Sequence, residues 1–281
     1  MSLKHIVGLD HVVVAVRDLD AAAAAWNRIG FTLSPRGTHS AHLGSANYTI
    51  VFGEDYIELL GILNETEHNQ PTTAFLKERE GVERTAFTTD DAAAGVEELK
   101  ARGLAGQGPI SFSRPVDLPD GSKSAAKFNV FTWPLNEAPG GLRIFACQHL
   151  TPETVWIPEL KSHAHGAQGL VQVEVLSSAP QQVADQLARL IDQKAEAVEG
   201  GFRVASGGNR ASFVFYDAAG FAARYPESVR KGSPAEGAVA IMIRTDDLAK
   251  ARPLPGAQAF GNQVSIPADQ ANGVIVSFTA S

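Results

Sequence analysis

The sequence predicts an α+β chain of four βαβββ modules, arranged as two tandem pairs. Three observations predict it. Residues 9–61 read as strand, helix and three further strands, in that order. The opening run then returns. Arg84-Thr85-Ala86-Phe87-Thr88-Thr89-Asp90-Asp91 resembles the first strand and its exit into a helix, and Arg244-Thr245-Asp246-Asp247-Leu248 echoes it. A breaker-rich stretch with Pro152, Pro158 and Gly166 separates the pairs. The expected division is a domain at 1–150, a connector at 151–167 and a second, degenerate domain at 168–281.

Each element has a local cause. Val12 to Val16 is β-branched and apolar, as a strand requires, and alternation puts His11, Val13 and Ala15 on one face. Asp18 and Asp20 are N-cap types, Ala21 to Trp26 favours helix, and Gly30 stops it. Phe31-Thr32-Leu33 is expected to start a second strand, Ala46 to Phe52 a third, and Tyr56 to Ile62 a fourth, with Glu54-Asp55 in the hairpin turn. In the fourth, Tyr56, Glu58 and Leu60 share a face. The polar stretch 64–73 reads as a linker.

The second module begins at Arg84, with a helix over Ala92 to Arg102 ended by Gly103. Its strands are expected at Ile110–Phe112, Ala125–Trp133 and Leu142–Cys147, with 108–124 a long loop near a site mouth. The third begins at Leu170, with a helix from Gln181 to Ala195 and strands at Phe202–Ala205 and Ala211–Tyr216. The fourth begins at Ala238 and ends on Gly273–Phe278.

The opening stretch Leu9-Asp10-His11-Val12-Val13-Val14-Ala15-Val16-Arg17-Asp18-Leu19-Asp20, then Trp26, Gly30-Phe31 and Tyr56-Ile57-Glu58-Leu59, resembles the vicinal oxygen chelate superfamily. This is the group of glyoxalase I, bleomycin-resistance proteins and extradiol dioxygenases. Gly37-Thr38-His39 with Gly44-Ser45-Ala46-Asn47 is similar to its glyoxalase-like branch. The resemblance is strong over the first 62 residues and weaker beyond. It implies paired modules forming cup-shaped mixed sheets around a divalent metal, with ligands from the first and fourth strands of each module.

Under that resemblance His11 is the first-strand ligand and Glu58 the fourth-strand ligand. Two are rarely enough for a metal that must also bind substrate. The further ligands come from Glu83, His149, Cys147 or another chain. Aligning Asp18 with Asp90 sets Glu83 opposite His11, each seven residues before its aspartate. Glu58 also doubles as the group that moves protons. Its carboxylate in an apolar strand otherwise needs a salt bridge, to Arg84 or Arg143. Asn47 and Arg143 are candidate substrate contacts, Arg143 for an anionic group or for Glu58 itself. His39 and His42 sit in a Gly-rich loop. Without the resemblance His11 reads as a satisfied strand histidine, Cys147 as a buried filler and Trp26 as core.

Composition narrows the classes. Net charge is −7, which lacks the basic footprint of a nucleic-acid binder. One cysteine excludes an internal disulfide framework and Cys-rich zinc sites. No membrane span or signal-peptide pattern is expected, which fits a cytoplasmic protein. There is no phosphate-binding glycine loop and no Gly-x-Ser-x-Gly elbow. Two readings follow. One is a divalent-metal enzyme (zinc, nickel, manganese or iron) acting on a small carbonyl or diol as lyase, isomerase or dioxygenase. The other is a metal-free small-molecule binder of the bleomycin-resistance type. A homodimer is the expected assembly.

Overall fold

The computed structural model describes residues 3–280. Two eight-stranded mixed sheets repeat one plan. The first comprises β1 (Gly8–Val16), β2 (Gly37–Thr38), β3 (Ser45–Val51), β4 (Tyr56–Ile62), β5 (Gly81–Thr88), β6 (Gln107–Asp117), β7 (Lys123–Thr132) and β8 (Arg143–His149). Its spatial order is β2-β3-β4-β1-β5-β8-β7-β6. The helices α1 (Leu19–Arg28), α2 (Gln70–Glu78) and α3 (Ala92–Ala101) complete this part.

The second sheet has β9 (Ala167–Leu176), β10 (Ala195–Val198), β11 (Gly201–Val204), β12 (Ser212–Tyr216), β13 (Gly237–Thr245), β14 (Gln258–Phe260), β15 (Gln263–Ile266) and β16 (Ile275–Ala280). Its order, β10-β11-β12-β9-β13-β16-β15-β14, is the same topology. Here α4 (Pro180–Ile191) follows β9, and α5 (Ala218–Arg224) and α6 (Glu227–Arg230) lie between β12 and β13. In each sheet the first strands of two modules pair antiparallel, and each pairs in parallel with its own fourth strand.

One apolar core joins the two sheets. Val12, Val14 and Val16 of β1 and Val173 and Val175 of β9 belong to it, with the helices packed alongside. Phe31 stacks on Phe278 at 6.1 Å and Phe87 on Phe213 at 5.9 Å, ring centre to ring centre. Trp26, expected as core, is fully buried, and its indole N–H donates to Asn272. The connector adds His163 and His165. Gly30, at φ +95°, lets the His165 ring approach, since a Cβ there would meet Cδ2 at 2.9 Å.

Several elements differ from the sequence expectation. Phe31–Leu33 is not a strand, because Phe31 turns into the core between the sheets and Thr32 bonds to His163 of the connector. The linker at 64–73 is overrun by α2, whose first turn accepts Pro71. The loop at 108–124 is mostly hairpin. β6 runs through Pro109 and Pro115 because it is an edge strand, where a missing N–H is tolerated. The third module's helix stops at Ile191, with Asp192 left-handed at φ 58°, and Ala195 starts β10. The fourth module replaces its helix with a short 3-10 turn at Leu248–Lys250 and adds β14 and β15.

Candidate functional site

A β-bulge builds the site. In β1, Leu9 pairs with Phe87 and His11 with Ala86, so Asp10 is the extra residue. Asp10 and His11 therefore both turn into the cup of the first sheet, where strict alternation would have parted them. Asp10 is fully buried and accepts from Thr88 Oγ1 at 2.7 Å, His11 Nδ1 at 2.6 Å and His149 Nε2 at 3.0 Å. Burial disfavours its charge. The His149 charge and the bonds from both imidazoles outweigh burial and hold the carboxyl well below the usual range.

An ionised Asp10 only accepts, so His11 donates through Nδ1 and its Nε2 is free for other chemistry. That Nε2 lies 3.8 Å from Glu58 Oε2 and 3.4 Å from the Tyr56 hydroxyl. The His11 ring stacks on Tyr56 at 4.1 Å and meets the edge of Phe145 at 5.4 Å. Glu58 accepts from Asn47 Nδ2 at 2.6 Å. Burial pushes its carboxyl up, but His11, His39, the Asn47 bond and Arg84 outweigh that and lower it. Burial, reinforced by Asp10, raises Tyr56 well above its ordinary value, so its hydroxyl stays a donor. Burial, with Asp10 and Glu58 adding to it, does the same to the Cys147 thiol.

The other candidates fall in different places. Glu83 lies between Arg84 Nε, at 2.8 Å, and the Arg143 guanidinium, and Thr72 of α2 accepts from both arginines at 3.0 and 2.9 Å. Arg143 is thus held by Glu83 and does not meet Glu58. His149 bonds Asp10 and packs against Trp156, 4.6 Å away, and Phe128, 5.2 Å away. His39 bonds Ser45 and is lowered by burial, with Glu58 opposing. His42 is exposed beside His68.

The bulge also corrects the module alignment. α1 is capped by Asp18 and α3 by Asp91, one residue later than the Asp90 used to align them. Counted from the caps, seven residues back, His11 answers to Arg84 and Asp10 to Glu83. β5 carries the matching bulge at Glu83. Glu58 pairs with Val13, and its counterpart Phe145 pairs with Ala86. The positions that face His11 and Glu58 across the pseudo-dyad are an arginine and a phenylalanine.

That donor set does not fit a resident divalent metal. His11 Nε2 and Glu58 converge, but Arg84 and Phe145 supply no ligand and Arg84 adds positive charge. Among the described residues no three His, Cys, Asp or Glu side chains are grouped to hold a metal.

The connector closes the cup. Short 3-10 turns at Pro152–Thr154 and Pro158–Lys161 carry Val155 and Ile157 into the apolar cluster around Tyr56, Phe128 and Cys147. Sequence reading left Trp156 in the connector without a role. Among the described residues three buried polar atoms here have no hydrogen-bond partner: Asn47 Oδ1, His149 Nδ1 and Trp156 Nε1.

This fold, two sheets of paired βαβββ modules, is the vicinal oxygen chelate fold. The chain belongs to the glyoxalase-like domain family, whose model matches residues 9–191, through the first sheet, the connector, β9 and α4. A hypothetical protein from Staphylococcus aureus is similar over 97% of this chain and 99% of its own, at 15% identity and TM-score 0.70. A mutant 4-hydroxymandelate synthase from Streptomyces coelicolor is similar over 98% of this chain and 93% of its own, at 12% identity and TM-score 0.61. Both likenesses concern the fold. No curated protein matches the chain.

Proposed function

We propose that the first cup is the reactive site of a glyoxalase-like enzyme that moves a proton on a small carbonyl or diol substrate. One observation carries this reading: His11, fixed by Asp10 at Nδ1, presents Nε2 at 3.8 Å to the half-buried carboxylate of Glu58, which its neighbours hold ionised. Glu58 is the base that removes a proton from the carbon beside a carbonyl. The Tyr56 hydroxyl donates to the oxygen where negative charge develops. On a hydroxyketone, returning that proton to the former carbonyl carbon while the hydroxyl proton passes to the former carbonyl oxygen completes an isomerisation, and expelling a leaving group from the carbon next to the deprotonated one instead makes the enzyme a lyase.

The test is deuterium uptake from D2O, read by NMR across a panel of small ketones, hydroxyketones and 2-oxo acids. The wild type is expected to exchange at least one member, and Glu58→Gln to lose about 10²–10⁴-fold of that rate. Binding without exchange anywhere in the panel would favour the bleomycin-resistance type of reading instead.

A metal-dependent version rests on the same His11–Glu58 pair. Elemental mass spectrometry on protein purified without a metal-affinity tag decides it. About one equivalent of metal, lost in both His11→Ala and Glu58→Ala, would replace the metal-free reading. A homodimer and a cytoplasmic location belong to the same proposal. Light scattering checks the first and fractionation the second. Among the described residues no helix is long and apolar enough to cross a membrane.

A further inference from the structure

The first sheet curls until its edge strands β2 and β6 come into contact. A cavity of about 140 Å³ opens at that seam. Its apolar wall includes Val116, Val155, Ile157 and Leu160, and its polar side includes Thr38, Arg114 and the exposed Asp117. β6 is solvent-facing along most of its length, and Arg114 and Val116 are its two buried residues. A buried arginine is ordinarily paired with a carboxylate. Among the described residues the side chain of Arg114, a residue 7% exposed, makes no ion pair and no hydrogen bond. The other arginine at the cavity, Arg36, is taken by Asp20 at 3.0 Å.

The cavity adjoins the reactive pair through one glycine. A Cβ on Gly37 would meet Asn47 Oδ1 at 2.4 Å and an Arg114 guanidinium nitrogen at 3.2 Å. Asn47 holds Glu58 with its amide N–H while its carbonyl oxygen, buried, has no partner. The Arg114 guanidinium and the Asn47 carbonyl oxygen therefore both border the space that Gly37 leaves open.

We propose that Arg114 and this seam cavity hold the carboxylate of a small acid with an apolar body, so that the substrate class of the first cup is anionic. The guanidinium supplies a charged, two-pronged donor to the carboxylate. Val116, Val155, Ile157 and Leu160 cover the apolar body, and Gly37 leaves the carbon beside the carboxylate's neighbour open toward Glu58. The proposal rests on the reading of that cup as a reactive site, but its binding step is separable from the chemistry.

Isothermal titration calorimetry on the full chain tests it with butanoate, its uncharged isostere butanamide, and inorganic phosphate. Butanoate is expected to bind about tenfold or more tighter than butanamide and tighter than phosphate. Arg114→Gln is expected to lose about 10–100-fold of butanoate affinity, Arg114→Lys to recover part of it, and Glu58→Gln to retain it. Equal binding of butanoate and butanamide, undiminished binding by Arg114→Gln, no butanoate binding at millimolar concentration, or a preference for phosphate would each overturn the proposal. The butanoate–butanamide comparison needs no variant, so a folding failure of Arg114→Gln leaves the test intact. Charge-dependent binding without any deuterium exchange would sink the proposed reaction and leave the anion site standing.

Discussion

The two cups share topology and a matching pair of bulges, yet differ in what the matching positions carry. In the second sheet the bulges that answer to those at Asp10 and Glu83 fall at Val171 and Val239, and a third falls at Gln168. Gln172 and Ala240 then stand where the first sheet has His11 and Arg84. The counterparts of Glu58 and Phe145 are Val214, opposite Glu174, and Ser277, opposite Met242. The second cup is also filled from within. Phe221, Tyr225 and Val229 of the α5–α6 segment pack into it against Val214, Tyr216 and Ala240. The first cup is covered by the connector and keeps a cavity at its seam. The scaffold thus tolerates either content at these four strand positions.

The strongest way to break this comparison is to exchange a group at matching positions. Glu58→Gln should lower deuterium exchange by about 10²–10⁴-fold, while Val214→Thr, at the matching position of the second cup, should leave the rate unchanged. A comparable loss from both would mean that the second cup takes part in the reaction.

The filling should show as stability. Tyr225 is fully buried, and Tyr225→Ala should cost about 3–5 kcal/mol in denaturant unfolding, as large aromatic truncations in a core do. Trp156 covers the first cup at intermediate exposure, so Trp156→Ala should cost less than half of that while raising KM. Equal stability losses would mean that the connector is as much core as α5 is.

Glu83 sharpens the contrast between ligand and scaffold. Buried between two arginines, it should lose about 3 kcal/mol on substitution to Gln, because that leaves two guanidiniums without their carboxylate. A metal or substrate role would instead lower activity with little change in unfolding free energy.

Much of the fold was legible because the repeating unit is strongly patterned. β-branched runs, N-cap aspartates and Ala-rich helices recur where the modules start. The candidate site was legible in part. His11 and Glu58 stand out as polar residues inside apolar strands, and the structure brings them together with Asn47. The rest depends on a bulge, which inserts one residue without any local sequence signal. That is why alignment on Asp90 chose Glu83 over Arg84, and why Asp10 was overlooked as the group that orients His11 and His149. Arg114 was hidden for another reason: β6 reads as a Pro- and Gly-bearing loop, and nothing local shows that it closes on β2. His163 and His165 belong to the connector by sequence and to the inter-sheet core by structure.

The last expected effect concerns what joins the two halves, and it is read as a slope against pH. Asp55, in the β3–β4 turn, accepts from the Leu170 N–H of β9 at 3.0 Å. Burial pushes its carboxyl up to about 7, against the Leu170 bond, Arg210 and Arg244, with Asp10 adding to the rise. The folded chain therefore holds a proton that the unfolded chain releases near pH 4. Asp55 contributes stability that is complete below pH 4 and is lost as pH climbs to 7, by at most about 1.4 kcal/mol per pH unit. His165 works the other way. Burial, helped by His163, pushes it down to about 3, so its contribution is complete above pH 6.5 and is lost as pH falls toward 3. Asp55→Asn keeps the acceptor and should move the pH of maximal stability upward. His165→Leu, against Phe31 and Phe278, should move it downward. Unfolding midpoints measured from pH 4 to 8 check both. Parallel curves for the wild type and Asp55→Asn would show that the contact between β3–β4 and β9 is not a titrating joint, and that the packed rings alone hold the two cups together.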